Sequence, residues 1–440
     1  MTARAAQYLG KRAPRSLQRL IEHVIASART PYPPSSEHVA RALLNSTYFD
    51  AAARAVLQAD SPPKAVLHSP AFAPARAFAG LPIPRIETAG ELAAWFKLSV
   101  DELDWLADTR RGHGRASQAQ LQHYSYALAA KRVGAPRLIE SPKPRLKAAQ
   151  RRILHEILDH APSHSNAHGF VRGRSCISGA QIHAGEPVVL RLDLQRFFTG
   201  IRASRVHGLF RALGYPSETA RLLTGLCTTC TPQIATAAIE DWRIRQEYGA
   251  PHLPQGAPTS PSLANLCAWR LDQRLGGLAR RLAINYSRYA DDLCFSGDRA
   301  LAARAPSFVS LVETIASEEG FVVNSDKTKV MRASSSQRVT GVVVNQHVNA
   351  QRHDYDALKA TLHNCRTSGD PETQNRKGLP DFRAHLEGRI NWVEQLNPHR
   401  GMKLRLMFDA IHWPAGARDA GDRRADASRR PPLPFAGEAD

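Results

Sequence analysis

The sequence has little cysteine and no long hydrophobic run, and both absences narrow its class. Six cysteines among 440 residues are too few for a disulfide framework, so a reducing, cytoplasmic environment is expected. An uninterrupted run of about eighteen apolar residues, the length of a membrane span, is absent, so no membrane partner is expected. The basic N-terminus lacks the apolar stretch of a secretory signal. Length and composition favour about two to three ordinary globular domains.

Acidic residues are scarce relative to basic ones, which points to a polyanionic partner. Lys and Arg number 59 against 40 Asp and Glu, for a formal net charge of +19. Eleven basic and five acidic residues lie in 1–88, and five of each lie in 414–440. Most of the excess therefore lies in 89–413, and basic tails are excluded as its main source. Nucleic acid is the usual partner of such a surface, and a merely solubilising basic surface is the alternative.

The hydrophobic periodicity predicts an α+β fold with helical pieces at both ends. Residues 1–88 have the pattern of a helical extension that ends in a proline-rich linker, and 414–440 are predicted to be disordered. Between them, the pattern predicts strands over 188–194, 321–323 and 338–344, a strand or hairpin over 131–142, a hairpin over 284–296, helices over 203–227, 261–282 and 306–319, and a helical region over 353–413.

Three aspartates stand where strands end or turn. Asp193 ends the run VVLRLDLQRFF, and Asp291 and Asp292 form the turn of RYADDLCFSG. Carboxylates on apolar strands are costly unless a cation neutralises them, and Mg²⁺ prefers carboxylate oxygens together with substrate phosphates. Two such ions can activate an attacking hydroxyl and stabilise a leaving pyrophosphate. In that scheme Asp193 and Asp291 bridge the ions and Asp292 is more peripheral, whereas acids in solvent-exposed turns are the alternative for any one taken alone.

The motifs around these acids resemble those of the reverse transcriptases. Asp193 fits the first acidic motif of that family and residues 289–292 fit its YxDD box. Three further motifs follow the family's order: PQG…SP at 255–266, GF..N..KT at Gly320-Phe321, Asn324, Lys327 and Thr328, and the fingers motif HGFVRGRS at 168–175. The resemblance spans about residues 89–413, and the joint occurrence of these motifs is far more specific than YxDD alone.

The resemblance implies an RNA-directed DNA polymerase with a right-hand fold. The expected divisions are an N-terminal extension and linker over 1–88, N-terminal helices and fingers over 89–187, a palm over 188–350 with fingers helices inserted, a helical RNA-binding thumb over 351–413, and the tail over 414–440. It also implies two Mg²⁺ ions per active site, with Mn²⁺ as a substitute, held by the three aspartates. The substrates would be dNTPs.

Several residues are predicted to contact the nucleotide. Phe198 stands five residues beyond Asp193, where polymerases of this type place the ring that excludes a ribose 2′-OH, whereas Phe197 is expected in the core. Gln255 and Gly256 are expected to line the nascent base-pair pocket. The remaining candidates are basic: Arg137, Arg172 and Arg174 for triphosphate or template contacts, with plain surface charge as the alternative, and Lys327 for the leaving pyrophosphate.

Features of the second half are similar to those of bacterial retron enzymes. Val339-Thr340-Gly341 matches their VTG element and LEGRINWVEQLNP resembles their thumb. The usual NAxxH is replaced by residues 179–183, with glycine for asparagine at Gly179. The resemblance implies a structured non-coding RNA as template and primer, bound by the VTG residues and His183 (for which packing is the alternative), and a branched RNA–DNA product primed from a 2′-OH. It also implies a separate effector protein in anti-phage defence.

Two other functions compete with this interpretation. The first is a group II intron-like or abortive-infection reverse transcriptase, against which the VTG triplet and the lack of a recognisable endonuclease or maturase domain argue. The second is a non-catalytic RNA-binding scaffold that keeps the shell of a polymerase. The three intact aspartates argue against the scaffold, because it would have no reason to confine three like charges.

Overall fold

The structure, a computed structural model, describes residues 19–20, 22–23, 36–50, 70–109, 122–129 and 137–413. Within these ranges, no helix has both the length and the apolar character that crossing a bilayer requires. The predicted disorder of 414–440 and much of the predicted N-terminal helices lie outside the described residues. Helices and antiparallel strands are mixed along the chain, so the predicted α+β class is confirmed.

Helices and strands alternate through the described part of the chain. The α-helices are α1 Ser36–Leu44, α2 Ala89–Phe96, α3 Val100–Ala107, α4 Pro144–Glu156, α5 Cys176–Gln181, α6 Ala203–Leu213, α7 Ser217–Cys227, α8 Gln233–Thr236, α9 Trp242–Gly249, α10 Ser260–Cys267, α11 Trp269–Arg281, α12 Arg299–Glu318, α13 Arg352–Thr367, α14 Phe382–Leu396 and α15 Pro398–Asp409. The strands are β1 Tyr124–Ala129, β2 Arg137–Pro142, β3 Val188–Gln195, β4 Asn285–Tyr289, β5 Asp292–Gly297, β6 Val322–Val323, β7 Lys329–Arg332, β8 Arg338–Val339 and β9 Val342–Val343.

The chain divides into two compact units, each built from three segments. The first unit contains the described residues up to Val171 together with Asp193–Leu278 and Ser307–Asp326. The second unit contains Arg172–Leu192, Ala279–Pro306 and the described residues from Lys327 onward. The chain passes between the units inside β3, α11 and α12. These units follow different boundaries from the fingers, palm and thumb divisions, which stay a prediction.

The first unit packs helices around short antiparallel pairings. β1 and β2 form a hairpin-like pair from Tyr124↔Pro142 to Ala129↔Arg137, and Leu194 and Gln195 of β3 pair with β6. The segment after residue 70 is also docked, because Ala73 and Ala75 donate backbone hydrogen bonds to the carbonyls of Gly214 and Ala212. The described part of the predicted proline-rich linker is therefore packed rather than free.

The second unit combines a sheet with the C-terminal helices. β4 pairs antiparallel with β5, β5 neighbours β3, and β7 pairs with residues 188–191 of β3. One apolar core joins the β8–β9 hairpin to α13, α14 and α15. The face of α14 predicted to be buried is buried in full, at Phe382, Leu386, Ile390, Val393 and Leu396.

Four predicted elements differ from the structure, and the first, the helix predicted over 203–227, is divided at Gly214 into α6 and α7. The helix predicted over 306–319 begins at Arg299 and continues through Pro306, and the one predicted over 261–282 divides at Ala268. The strand predicted over 338–344 is a hairpin, because Thr340 and Gly341 have φ of +49° and +84°. Two consecutive left-handed residues reverse the chain in a two-residue turn instead of extending it.

Candidate active site

Asp193 lies in β3 of the first unit, with apolar neighbours on both sides. Asp193 is 6 % exposed, and its neighbours Leu192 and Leu194 are buried. Its backbone carbonyl accepts a hydrogen bond from the amide of Asn324 at 2.7 Å, immediately beyond β6. The first acidic motif and the asparagine of GF..N..KT are therefore neighbours, although more than a hundred residues separate them. The carboxyl group occupies the kind of strand position where an unpaired charge is costly.

Asp291 and Asp292 lie where the β4–β5 hairpin of the second unit turns. Tyr289 pairs with Asp292, so Ala290 and Asp291 form the connection. Ala290 has φ +55°, a left-handed conformation that costs an L-residue about 1–2 kcal/mol. The predicted hairpin with two acids at its tip is confirmed, and its turn is strained. Strain of this kind persists only where the surrounding structure holds it.

A fully buried arginine supports that strained turn. Arg288 has no exposed surface, and its Nη1 donates to the carbonyl of Ala290 at 3.0 Å. A guanidinium in a buried strand position is unusual, since arginine is rarely buried unless it is paired. The sequence analysis missed this residue, although an arginine within the strand beside YADD was a visible signal.

Asp292 is paired with a second arginine. The Arg191 Nε lies 3.1 Å from Asp292 Oδ1, and both side chains are about a quarter exposed. Arg191 stands in β3, two residues before Asp193, and was also missed by the sequence analysis. The ion pair offsets part of the charge of Asp292, and a carboxylate shared with a guanidinium is a weaker cation ligand than an unshared one.

The predicted aspartate ligands come from both units, Asp193 from the first and Asp291 and Asp292 from the second. Across the residues that the structure describes, no three His, Cys, Asp or Glu side chains are grouped so that they could hold a metal ion. The donor type itself fits Mg²⁺, which prefers carboxylate oxygens. Convergence of the three carboxylates on an ion pair stays a prediction.

The Gln255-Gly256 loop of the first unit is shaped by a close backbone approach. Gly256 has φ +138°, and a Cβ at this position would lie 2.8 Å from the Glu140 carbonyl oxygen. No other residue fits there without displacing β2. Gln255 is half-buried, and its carbonyl accepts a hydrogen bond from the Glu140 amide at 2.9 Å. The close approach of the Glu140 carbonyl therefore requires glycine at this position of the PQG motif.

The adjacent phenylalanines of the first unit differ in exposure, as predicted. Phe197 is 4 % exposed and stacks on Phe321, with ring centroids 5.8 Å apart. Phe198 is half-buried, and its ring lies 6.3 Å from that of Phe170 in the HGF segment. Phe197 is confirmed as a core residue. The surface of Phe198 is accessible to a ligand, as a sugar-sensing role would require.

Comparison with known proteins identifies the family. The family described as "Reverse transcriptase (RNA-dependent DNA polymerase)" matches residues 129–344. The retron Mx65 and Mx162 reverse transcriptases of Myxococcus xanthus are 41 % and 38 % identical, over 74 % and 76 % of this chain and 71 % and 69 % of theirs. The retron Ec86 enzyme of Escherichia coli is 34 % identical over 60 % of this chain and 78 % of its own. This chain belongs to the retron reverse transcriptases.

Membership assigns the coarse activity and fold. A retron reverse transcriptase is an RNA-directed DNA polymerase with the α+β right-hand polymerase fold, acts on an RNA template, and belongs to a family that uses divalent metal ions. The predicted enzyme class is confirmed. The group II intron-like and abortive-infection alternatives lose their support, because the relatives named here are retron enzymes.

The VTG element of this retron reverse transcriptase is the turn of the β8–β9 hairpin. Val339 is 2 % exposed and packs in the apolar core, so its side chain is not placed to bind RNA, contrary to the prediction. Thr340 donates through Oγ1 to the carbonyl of Cys176 at 3.3 Å, and Gly341 is exposed at the tip. Only Thr340 and Gly341 have surface that a ligand can reach.

His183 has a packing position rather than the predicted RNA-contacting one. The side chain is fully buried, with Nδ1 2.8 Å from Ser296 Oγ and Nε2 2.8 Å from Ser287 Oγ. These serines belong to β5 and β4, so the ring ties together the two strands that carry the YADD turn. Because no surface of His183 is exposed, direct RNA binding is not supported, and the packing alternative fits.

Gly179, which replaces the usual asparagine, lines a small pocket in the second unit. The space measures about 10 Å³, which is near the volume needed by one water molecule. Arg191, Asp292 and Thr340 also line it. The missing side chain would therefore have bordered both the Arg191–Asp292 pair and the VTG turn.

The four basic candidates differ in exposure. Arg137 in β2, Arg172 and Lys327 are exposed, whereas Arg174 is half-buried. Exposure is necessary for a phosphate contact but does not by itself select these residues from the other basic side chains, so their assigned roles stay predictions.

Proposed function

We propose that this retron reverse transcriptase copies part of a cognate structured non-coding RNA into DNA, primed from a 2′-OH of the same RNA. The product is then a branched RNA–DNA molecule. The observation that carries a catalytic function is the strained Asp291-Asp292 turn, supported by the buried Arg288 and by the pairing of Arg191 with Asp292. A non-catalytic scaffold would gain nothing from holding two acids in this costly conformation.

Two Mg²⁺ ions, replaceable by Mn²⁺, are the proposed cofactors. Asp193, Asp291 and Asp292 would hold them, and Asp292 would contribute least because it shares its charge with Arg191. Such ions activate an attacking hydroxyl and stabilise the leaving pyrophosphate. The protein contributes by holding the carboxylates, through the β3 position of Asp193 and the hydrogen bond of Arg288 to the turn.

The nucleotide-binding residues of the proposal come from both units of the chain. Gln255 and Gly256 would line the nascent base pair, and Phe198 would exclude the 2′-OH of an rNTP. The basic candidates are proposed because their side chains are positively charged. Arg137, Arg172 and Arg174 would contact triphosphate or template phosphates. Lys327 would stabilise the pyrophosphate.

The partners of the proposal are the structured RNA, its DNA product, dNTPs and a separate effector protein in anti-phage defence in the cytoplasm. Thr340 and Gly341 would reach RNA from the hairpin tip, and α13–α15 would bind RNA stems through phosphates and 2′-hydroxyls. Nucleic acid that co-purifies with the protein tests this arrangement. A uniform RNA joined to DNA, and separated by debranching enzyme, is expected, whereas heterogeneous unlinked DNA would contradict it.

Substitution of both turn aspartates tests the catalytic proposal. Asp291→Asn with Asp292→Asn should reduce Mg²⁺-dependent dNTP incorporation by more than about 10³-fold, because the hard ligands are removed. RNA binding should stay within a few-fold. A charge-matched control is Glu240→Gln with Asp241→Asn, two exposed acids just before α9 that the proposal does not use, which should keep full incorporation. Equal activity of the two double variants would refute the assignment.

A further inference from the structure

A fully buried glutamate–histidine pair lies beside the Gln255-Gly256 loop, and the catalytic proposal does not use it. The side chains of Glu140 and His252 have no exposed surface, and Glu140 Oε2 lies 3.1 Å from His252 Nε2. Glu140 Oε1 accepts a hydrogen bond from Thr231 Oγ1 at 2.5 Å. A well-packed apolar pair of the same volume often stabilises a fold as well as a buried ion pair does. Stability alone therefore does not account for this pair.

Glu140 holds the loop through the loop's own backbone. The Gln255 amide donates to Glu140 Oε2 at 3.3 Å, and the Glu140 amide donates to the Gln255 carbonyl at 2.9 Å. Both backbone polar groups of Gln255 thus bind one residue. The Glu140 carbonyl oxygen also blocks any side chain at position 256. The position of the loop is therefore set by residue 140 through three separate contacts.

His252 fixes where the Glu140 carboxylate can lie. Its amide and carbonyl exchange two hydrogen bonds of 3.0 Å with Thr229, so the backbone is anchored. Its Nδ1 lies 2.7 Å from the carbonyl of Ala250. A carbonyl only accepts, which assigns a proton to Nδ1 and leaves one further proton between Nε2 and Glu140 Oε2. The Glu140 carboxyl group also accepts from the Gln255 amide and from Thr231, so its position is fixed from three sides.

We propose that Glu140 and His252 are positioning residues that set the Gln255-Gly256 loop for nucleotide selection. The inference rests on the proposed function, which assigns this loop to the nascent base-pair pocket. Neither residue contacts the reacting atoms, and each acts through the backbone of Gln255. Loss of the pair should therefore change how well a correct dNTP is bound and distinguished, more than it changes RNA binding.

The isosteric variant Glu140→Gln is the sharpest test, because no orientation of an amide satisfies every partner. With its NH₂ at the Oε2 position, the amide faces the Gln255 N–H donor. If its oxygen lies there instead, His252 Nε2 must carry a proton. The ring then either holds both protons with no carboxylate to balance the charge, or loses the Nδ1 proton and with it the hydrogen bond to the Ala250 carbonyl. The matched control is Gln150→Met, a fully buried residue of the same unit whose amide binds Tyr124 Oη and the Leu226 carbonyl, away from the loop.

Both variants are expected to lose thermal stability, and only Glu140→Gln should alter nucleotide use. We expect KM for the correct dNTP to rise about tenfold, with kcat changed less than threefold and mismatched incorporation increased. The double variant Glu140→Gln with His252→Gln should raise KM no more than the worse of the two single variants, because the two residues act as a unit. Equal KM values in Glu140→Gln and Gln150→Met would overturn the inference.

Amide hydrogen exchange separates this inference from the proposed function. In Glu140→Gln, exchange of the segment 253–256 should accelerate at least about tenfold, whereas Gln150→Met should leave it unchanged. If the wild-type protein incorporated no dNTP, the proposed function would fail while the exchange result still decided the positioning claim. If residues 253–256 exchanged as slowly in Glu140→Gln as in the wild type, the claim that the pair controls the loop would be refuted.

Discussion

The Gln255-Gly256 loop of the first unit is held through its backbone, whereas the Asp291-Asp292 turn of the second unit is held both at the Ala290 carbonyl and at the side chain of Asp292. In the loop, Glu140 binds the amide and carbonyl of Gln255, and the pair behind it has no solvent contact. In the turn, Arg191 binds the carboxylate of Asp292 directly and remains partly exposed.

The difference fits the roles proposed for the two elements. A loop that lines a base pair offers shape, so its backbone must be fixed while its side chains stay available. A turn that presents carboxylates offers charge, so neighbouring cations adjust that charge and its direction. Buried Arg288 belongs to the turn's arrangement, because it binds the carbonyl of Ala290.

Removal of the buried arginine should break the turn most severely. Arg288→Met deletes a charged donor and leaves the Ala290 carbonyl without it, so the free energy of unfolding should fall by about 3 kcal/mol. Denaturant unfolding measures the change. The control Arg281→Met, an exposed position at the end of α11, should stay within about 0.5 kcal/mol of wild type. A similar small change in Arg288→Met would show that the turn does not depend on it.

Removal of the half-buried ring should change nucleotide choice instead of stability. Phe198→Ala should raise the rNTP-to-dNTP incorporation ratio about tenfold, because a side chain that excludes a hydroxyl discriminates by steric contact. Single-nucleotide incorporation assays measure the ratio. Phe197→Ala is the matched control. It removes a buried ring and should lower the free energy of unfolding by about 3–5 kcal/mol. An unmoved ratio in Phe198→Ala would place the sugar discrimination elsewhere.

Relief of the strained turn should have the smallest effect. Ala290→Gly removes the Cβ that disfavours φ +55° but adds chain entropy to the unfolded state, so the net gain should be about 0.5–1 kcal/mol. Thermal unfolding checks it, with Ala283→Gly as a comparison at another left-handed position, φ +53°, which precedes β4 and lies outside the turn. A loss of stability in Ala290→Gly would mean that the conformation is not strained.

Much of this architecture was predictable from local patterns. The apolar run around Asp193, the break at Asp291-Asp292 and the stripe from Phe382 to Leu396 each follow a period that marks strand, turn or helix. The errors also have local causes. The strand pattern of 338–344 does not reveal the VTG turn, where Thr340 binds the Cys176 carbonyl and Val339 packs in the core.

The sequence by itself determined the family, the order of the motifs and the residue types that carry the chemistry, because these are set by residue identity and spacing. Only the tertiary structure decided which polar residues support the motif turns. Glu140 and His252, Arg191 and Asp292, and His183 and its two serines are separated by about a hundred residues, and no periodicity links such partners. Burial also decided their roles, because the sequence does not show whether a histidine or a glutamate contacts water or lies in the core.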